Sequence, residues 1–213
     1  IRNHEPQVYN QTSLFVSGTT FLVGKLTGNW LMDHYTASTY VPLYDFRRQG
    51  WSDDLCQGVV SPEKLPEIAW TSEVAGTVTS TAAEESGLSE GTPVIVGTVD
   101  AAAEAVSVGA ISSDRMMLMY GSTAFMILVT EKPLSDPRVW SAPFLFPGSF
   151  ALMAGMATSG TLTRWFRDNF ARELITLESE EGESAFRVLA SEASRVSAGS
   201  EELVILPYFS GER

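Results

Sequence analysis

The sequence has a single cysteine, Cys56, and only two histidines. One thiol cannot close an intrachain disulfide, and Cys and His together are too few for the usual zinc spacings, so a disulfide scaffold and a structural zinc site are excluded. A reducing, cytoplasmic setting is the expectation. No apolar run reaches the ~20 residues of a membrane-spanning helix, and no signal-peptide pattern opens the chain. Positive charge is scarce too: 14 Lys and Arg stand against 26 Asp and Glu, a formal net charge of -12. No basic patch is concentrated anywhere, so the chain repels nucleic acid and anionic membrane and neither is an expected partner. An anionic ligand would have to be held by backbone amides, helix N-termini and a metal ion more than by the overall field.

The composition is otherwise that of a folded protein, with 44% hydrophobic and 19% charged residues in a chain of 213, long enough for one large domain or two smaller ones. The chain opens without Met and stops at Arg213 just after a turn-like Ser210-Gly211-Glu212, so both ends are expected to be cut from something longer.

Residues 14–26 mix apolar residues with Gly and Thr and leave helix and strand pair open. Residues 27–54 show no sustained period and predict loops and short helical turns. A short strand is expected at Gly76, and a helix at 80–86 with Thr79 or Ser80 as cap and Gly87 as stop. Val94-Ile95-Val96 reads as a buried parallel strand. Asp100 follows, and Ala101 to Val108 brings strong helix formers ending at Gly109, so Asp100 sits where strand becomes helix. Residues 116–120 and 124–130 read as a β-hairpin around Gly121-Ser122-Thr123. A proline-bearing connection, 133–147, leads to a strand at 150–156, then to a helix carrying Leu162, Trp165, Phe166, Phe170 and Leu174 on one core-facing side. A second amphipathic helix is expected at 183–196 and a last strand at 203–206. The hairpin restarts the pattern after a complete strand–helix unit, which places a boundary near Ser113 and predicts two α/β units.

Three places can carry chemistry. Asp100 stands at the carboxyl end of a strand, where open α/β sheets bind ligands, and also where an aspartate can cap a helix for about 1 kcal/mol; the two roles are compatible. Gly121-Ser122-Thr123 is a tight turn able to aim amides and hydroxyls at a phosphate, or simply a hairpin turn. Thr158-Ser159-Gly160 opens a helix whose free amides and dipole could hold an anion, or merely caps it. Asp33, Asp45, Asp53, His4 and His34 are scattered along the chain and are read as solvated or structural, with no metal ligand among them.

In order, these elements resemble the FGGY family of carbohydrate kinases over nearly the whole chain. KLTG at 25–28, WSDDL at 51–55, LPEI at 65–68 and SGLSEGTPVIVGTVDAAAEAVSVG at 86–109 are similar to the family's first half. MMLMYGSTAF, GTLTRWFRD and LPYFSGER at 206–213 are similar to the start of its second half. Each segment is weak alone; the ordered set is specific.

The resemblance implies an RNase H-like, actin-like ATPase fold of the α/β class, with two lobes, both incomplete here. Residues 1–112 would be the C-terminal part of the first FGGY domain and 113–213 the N-terminal part of the second. It implies transfer of the γ-phosphate of ATP to a hydroxyl of a small sugar, xylulose first, with Mg²⁺ as the accompanying ion and ribulose, glycerol or a tetritol as alternative acceptors; a homodimer is open. Asp100 matches the family's catalytic aspartate, Gly121, Ser122 and Thr123 its phosphate-binding turn, and Gly160 a glycine close to the nucleotide phosphates. Asp100 and Ala101 would face the sugar. Two departures stand out: the turn is Gly-Ser-Thr in place of Gly-Thr-Ser, and Ala101 stands where related kinases tend to carry Asn or Gln. They leave room for a non-catalytic sugar- or protein-binding regulator on the same fold. The family's N-terminal phosphate loop and C-terminal adenosine-binding segment would flank this chain, so these 213 residues alone are expected to phosphorylate nothing.

Overall fold

The computed structural model describes residues 1–209 and 211, so the turn expected at 210–212 lies largely outside the described residues. The chain starts with α1 (Pro6–Gln11) and α2 (Gly18–Thr27), which resolves the open choice at 14–26 as a helix. Ser17 caps α2 by accepting from the Thr20 amide, and Gly28 ends it at φ +83, a left-handed conformation that glycine adopts without a Cβ penalty. Within α2, Gly24 lets the Trp30 ring lie on the helix, since a Cβ there would stand 2.5 Å from Trp30 Cε3.

The stretch read as loops and helical turns also holds strands. β1 (Leu31–Asp33) runs directly into α3 (His34–Ser38), and β2 (Tyr44–Asp45) pairs antiparallel with β3 (Gly50–Trp51) ahead of α4 (Asp53–Cys56). β1 lies parallel to β4 (Glu67–Ala69), with Leu31 opposite Glu67 and Asp33 opposite Ala69. Next come β5 (Val74–Thr77), α5 (Ser80–Ser86) and β6 (Pro93–Ile95), with Thr79 capping α5 and Gly87 stopping it as expected. One reading is corrected here. Val94–Val96 is not a buried parallel strand: β6 is antiparallel to β5, and Ile95 is 50% exposed although Val96 is buried. β-branched residues favour extended backbone but do not encode the direction of the partner. α6 (Asp100–Ser107) follows.

A four-stranded sheet has the order β7 (Met116–Tyr120), β8 (Ala124–Thr130), β10 (Phe150–Met156), β9 (Trp140–Pro143). β9 arises inside the connection read as irregular; it pairs antiparallel with β10 from Phe150↔Pro143 to Met153↔Trp140. Its proline sits at the strand end, where a missing amide costs least. The expected long helix is two, α7 (Gly160–Phe170) and α8 (Arg172–Glu181), broken at Ala171, whose φ −139 and ψ 42 are not helical. α9 (Ala185–Ala193) follows, and residues 203–206 are irregular and exposed in place of the expected strand. Trp165 and Phe166 are not core residues either. Both are exposed, Trp165 contacting the Phe170 and Phe209 rings at 5.3 and 4.5 Å, because helical spacing gathers apolar residues on one face without supplying what covers it.

The chain divides into one unit of Ile1–Met117 with Ile127–Met153 and another of Leu118–Met126 with Ala154–Arg213. The core of the first contains three apolar clusters: Leu43, Cys56, Val60 and Leu65; Val23, Ala75 and Val96; Met32, Ala37 and Tyr44. Ile127 and Phe144 are fully buried in the same unit, each such side chain contributing about 1.5–3 kcal/mol. Among the described residues no helix is long and apolar enough to cross a membrane.

Candidate active site

In the first unit several polar atoms of one short turn are tied down ahead of Asp100. The Val96 amide donates to Glu73 O at 2.9 Å and the Gly97 amide to Thr71 O at 3.0 Å. Gly97 has φ +71, and a Cβ on it would meet Thr19 Cγ2 at 3.3 Å. The Thr98 hydroxyl donates to Asp33 Oδ2 at 2.9 Å, while the Thr19 hydroxyl donates to the Thr98 carbonyl at 3.1 Å. Val99 is the N-cap of α6 and offers no side-chain bond, so Asp100 is the first helical residue, not the cap. Asp100 Oδ1 accepts the Ala101 amide at 2.8 Å, and the residue is exposed. Ala102 and Ala105 anchor the opposite face of α6, both fully buried.

Asp33, read from sequence as solvated or structural, is structural and not solvated. It is buried at the end of β1, where its Oδ2 also accepts the Thr36 amide at 3.2 Å and caps α3. Burial pushes its carboxyl above the ordinary value of 3.8, against the lowering effect of the hydrogen bonds from Thr36 and Thr98. Tyr35, whose hydroxyl donates to Met153 Sδ at 2.9 Å, is pushed up to about 12 by burial first and then by the charges of Asp33 and Asp100. His34 is structural as expected: its Nδ1 lies 2.9 Å from Tyr44 Oη, its ring centroid 4.1 Å from that of Trp70, and burial holds the imidazole below its usual range.

The Asp33 shift has a measurable consequence. A carboxyl whose folded-state pKa lies above its unfolded value binds more proton when folded, so its contribution to stability is lost as pH rises from about 3.8 through the raised value. Urea midpoints of wild type and Asp33→Asn, compared from about pH 4 to about pH 7, are therefore expected to shift in favour of the variant with rising pH. Parallel curves would show that the buried acid carries no such cost.

In the second unit the hairpin turn and the start of α7 form one body. The Gly121 carbonyl accepts the Gly160 amide and the Ser159 hydroxyl, both at 2.9 Å. The Ser122 carbonyl accepts the Ser159 amide at 2.9 Å and the Thr161 hydroxyl at 3.2 Å. A Cβ on Gly160 would stand 2.5 Å from Gly121 O, so only glycine permits this approach. One expectation is corrected: the first amides of α7 are not free for an anion, because the turn's carbonyls take them, as buried helix ends require some acceptor to do. What remains for a ligand is a cleft of about 330 Å³ lined by Tyr120, Gly121, Ser122, Gly160, Thr161 and Arg164. Thr123, exposed, is not among its lining residues. Arg164 was missed from sequence. It stands one turn beyond Gly160 on α7 and forms no ion pair among the described residues, leaving a planar guanidinium suited to phosphate oxygens.

The first unit thus presents an exposed carboxylate at Asp100, and the second a cleft lined by hydroxyls and an arginine. The N-terminal domain model of the FGGY family of carbohydrate kinases matches residues 1–107 and the C-terminal domain model matches residues 116–213. The chain belongs to this family, whose members have the actin-like ATPase fold and use ATP. It is 28% identical over 212 residues to the autoinducer-2 kinase of Enterobacter sp. (strain 638), a match that covers 99% of this chain and 40% of that protein. The xylulose kinase structure from Rhodospirillum rubrum superposes with a TM-score of 0.86 at 30% identity, covering 100% of this chain and 42% of that one. The Plasmodium falciparum glycerol kinase with ADP, 18% identical, superposes with a TM-score of 0.69 over 84% of this chain and 38% of its own. The chain thus spans about two fifths of the length of the relatives it matches.

Proposed function

We propose that these residues are the interior of a longer cytoplasmic kinase that transfers the γ-phosphate of ATP to a hydroxyl of a small ketose or polyol. Residues 1–112 and 113–213 contribute to its two domains, and this piece alone is inactive. The observation that carries the reading is Asp100, an exposed carboxylate opening α6 on a turn held through the Gly97 amide and the hydroxyl and carbonyl of Thr98. A carboxylate is too weak a base to ionise a sugar hydroxyl in advance. It orients that hydroxyl and takes its proton late, while positioning and charge stabilisation do most of the work in a loose transition state. Ala101 lies beside the acceptor and offers it no amide. Ser122 and Arg164 line the phosphate side, Thr123 adds a second hydroxyl, and Gly160 serves by allowing the turn to dock on α7.

Among the described residues there is no cluster of three acidic, His or Cys side chains, hence no protein-built metal cage. Mg²⁺ keeps most of its waters and leans on substrate phosphates more than on a protein cage, and no side chain of this chain is assigned to it. When bound, the ion neutralises phosphate charge.

Xylulose is the first candidate acceptor, supported by the xylulose kinase likeness, and the autoinducer-2 kinase relatives add their own named substrate to the candidates. Release of ADP by the full-length protein, measured against xylulose, ribulose, glycerol, a tetritol and autoinducer-2, tests the proposal. One acceptor is expected to raise the rate well above the water-only background. A flat response across the panel would favour a non-catalytic binding role, for which the reordered turn and Ala101 leave room.

A further inference from the structure

We infer that Asp33 is a positioning residue for Asp100, its buried carboxylate holding, through the Thr98 hydroxyl, the turn from which Asp100 is presented. The inference rests on the reading of Asp100 as proton acceptor. Asp33 is 2% exposed. A helix cap needs only a small hydroxyl or amide side chain, and burying a carboxylate is costly unless it is well bonded, so capping the short α3 does not by itself account for an acid here. What the carboxylate adds is a charged oxygen, whose hydrogen bonds are shorter and stronger than those of an amide. The same Oδ2 that caps α3 accepts the hydroxyl of Thr98, 65 positions later in the chain.

Thr98 is thereby clamped from two directions, its side chain by Asp33 and its carbonyl by the Thr19 hydroxyl. The residue before it is fixed through the Gly97 amide on Thr71 O. Two positions on, Asp100 begins α6, whose buried Ala102 and Ala105 hold the other side. The clamp sets the direction in which α6 leaves the turn, and with it the place of the Asp100 carboxylate. Catalytic geometry tolerates little error: a displacement of about 1 Å can cost on the order of a hundredfold in rate.

The test follows amide hydrogen exchange at residues 97–101 and turnover together, in the full-length protein, for Thr98→Val, Thr98→Ser, Asp33→Ala and the double variant Asp33→Ala/Thr98→Val. Thr98→Val and Asp33→Ala are each expected to speed exchange at these amides about tenfold or more. Both should lower kcat roughly 10- to 100-fold with KM for ATP unchanged. Thr98→Ser restores both readouts, and the double variant is no worse than the poorer single one, as expected of two residues acting through one bond. Unchanged exchange in folded Thr98→Val overturns the inference whatever the turnover, and so do strictly additive losses in the double variant. Should Asp33→Ala fail to fold, the two Thr98 variants decide alone. Failure of the proposed function reads differently: wild type then phosphorylates no acceptor, or Asp100→Asn keeps its turnover, while the exchange result stands on its own.

Discussion

Asp100→Asn in the full-length protein is expected to lower kcat about 10²- to 10⁴-fold, the usual contribution of a positioned general base. The substitution keeps size and shape and leaves an amide oxygen to accept the Ala101 N–H, so α6 starts as before. On the proposed reading it removes the group that takes the proton, and no other acidic side chain stands in the turn to replace it. The Thr98 hydroxyl is engaged by Asp33 and the main chain before it by Thr71 and Glu73. The cleft proposed for the nucleotide phosphates draws its lining from residues 120–122, Gly160, Thr161 and Arg164, so affinity for ADP is expected to stay within about twofold of wild type, well under the tenfold that 1.4 kcal/mol would give. Kinetics with saturating acceptor and calorimetric titration with ADP separate the two effects. Turnover close to wild type would remove Asp100 from the chemistry.

Gly160→Ala is expected to damage the other side. The added methyl would sit 2.5 Å from Gly121 O, inside any real contact distance, and the obstacle is main chain that cannot rotate away. The hairpin turn and α7 must separate, stretching the Gly160–Gly121 and Ser159–Gly121 bonds. Overpacking of this kind costs about 1–3 kcal/mol. Because Ser122 and Arg164 line one cleft from opposite sides of that seam, KM for ATP should rise about tenfold or more as the two lose their spacing. Urea denaturation and ATP titration of the steady-state rate measure the two losses. A variant matching wild type in both would mean that the seam does not set the cleft.

How much was legible in the sequence depended on how local the cause was. The cap and stop of α5 at Thr79 and Gly87, the hairpin around Gly121–Thr123 and the start of α6 at Asp100 are each decided within a few residues, and they were read correctly. β1 was hidden because its three residues make a strand only by pairing with β4, far along the chain. The break at Ala171 had no local signal at all, since alanine is the best helix former and neither Gly nor Pro marks the spot. Leu203–Leu206 failed in the opposite sense: an apolar run carries strand potential, but without a partner it stays irregular and exposed.

At the site, Asp100 and the Gly-Ser-Thr turn stood out by their place beside predicted elements, and the family resemblance added the roles expected of them. Asp33 did not, because its meaning lies in a bond to a threonine in a different part of the chain. Arg164 was equally silent. Its place in the cleft lining follows from the helix face it shares with Gly160, and an arginine within a run of Arg, Trp and Phe looks like ordinary solvated surface.

Asp100 and Asp33 belong wholly to one unit, while the Gly160–Gly121 seam and Arg164 belong wholly to the other. On the proposed reading, substitutions around α6 would alter the choice of alcohol while leaving the Gly160–Gly121 seam and its cleft as they are.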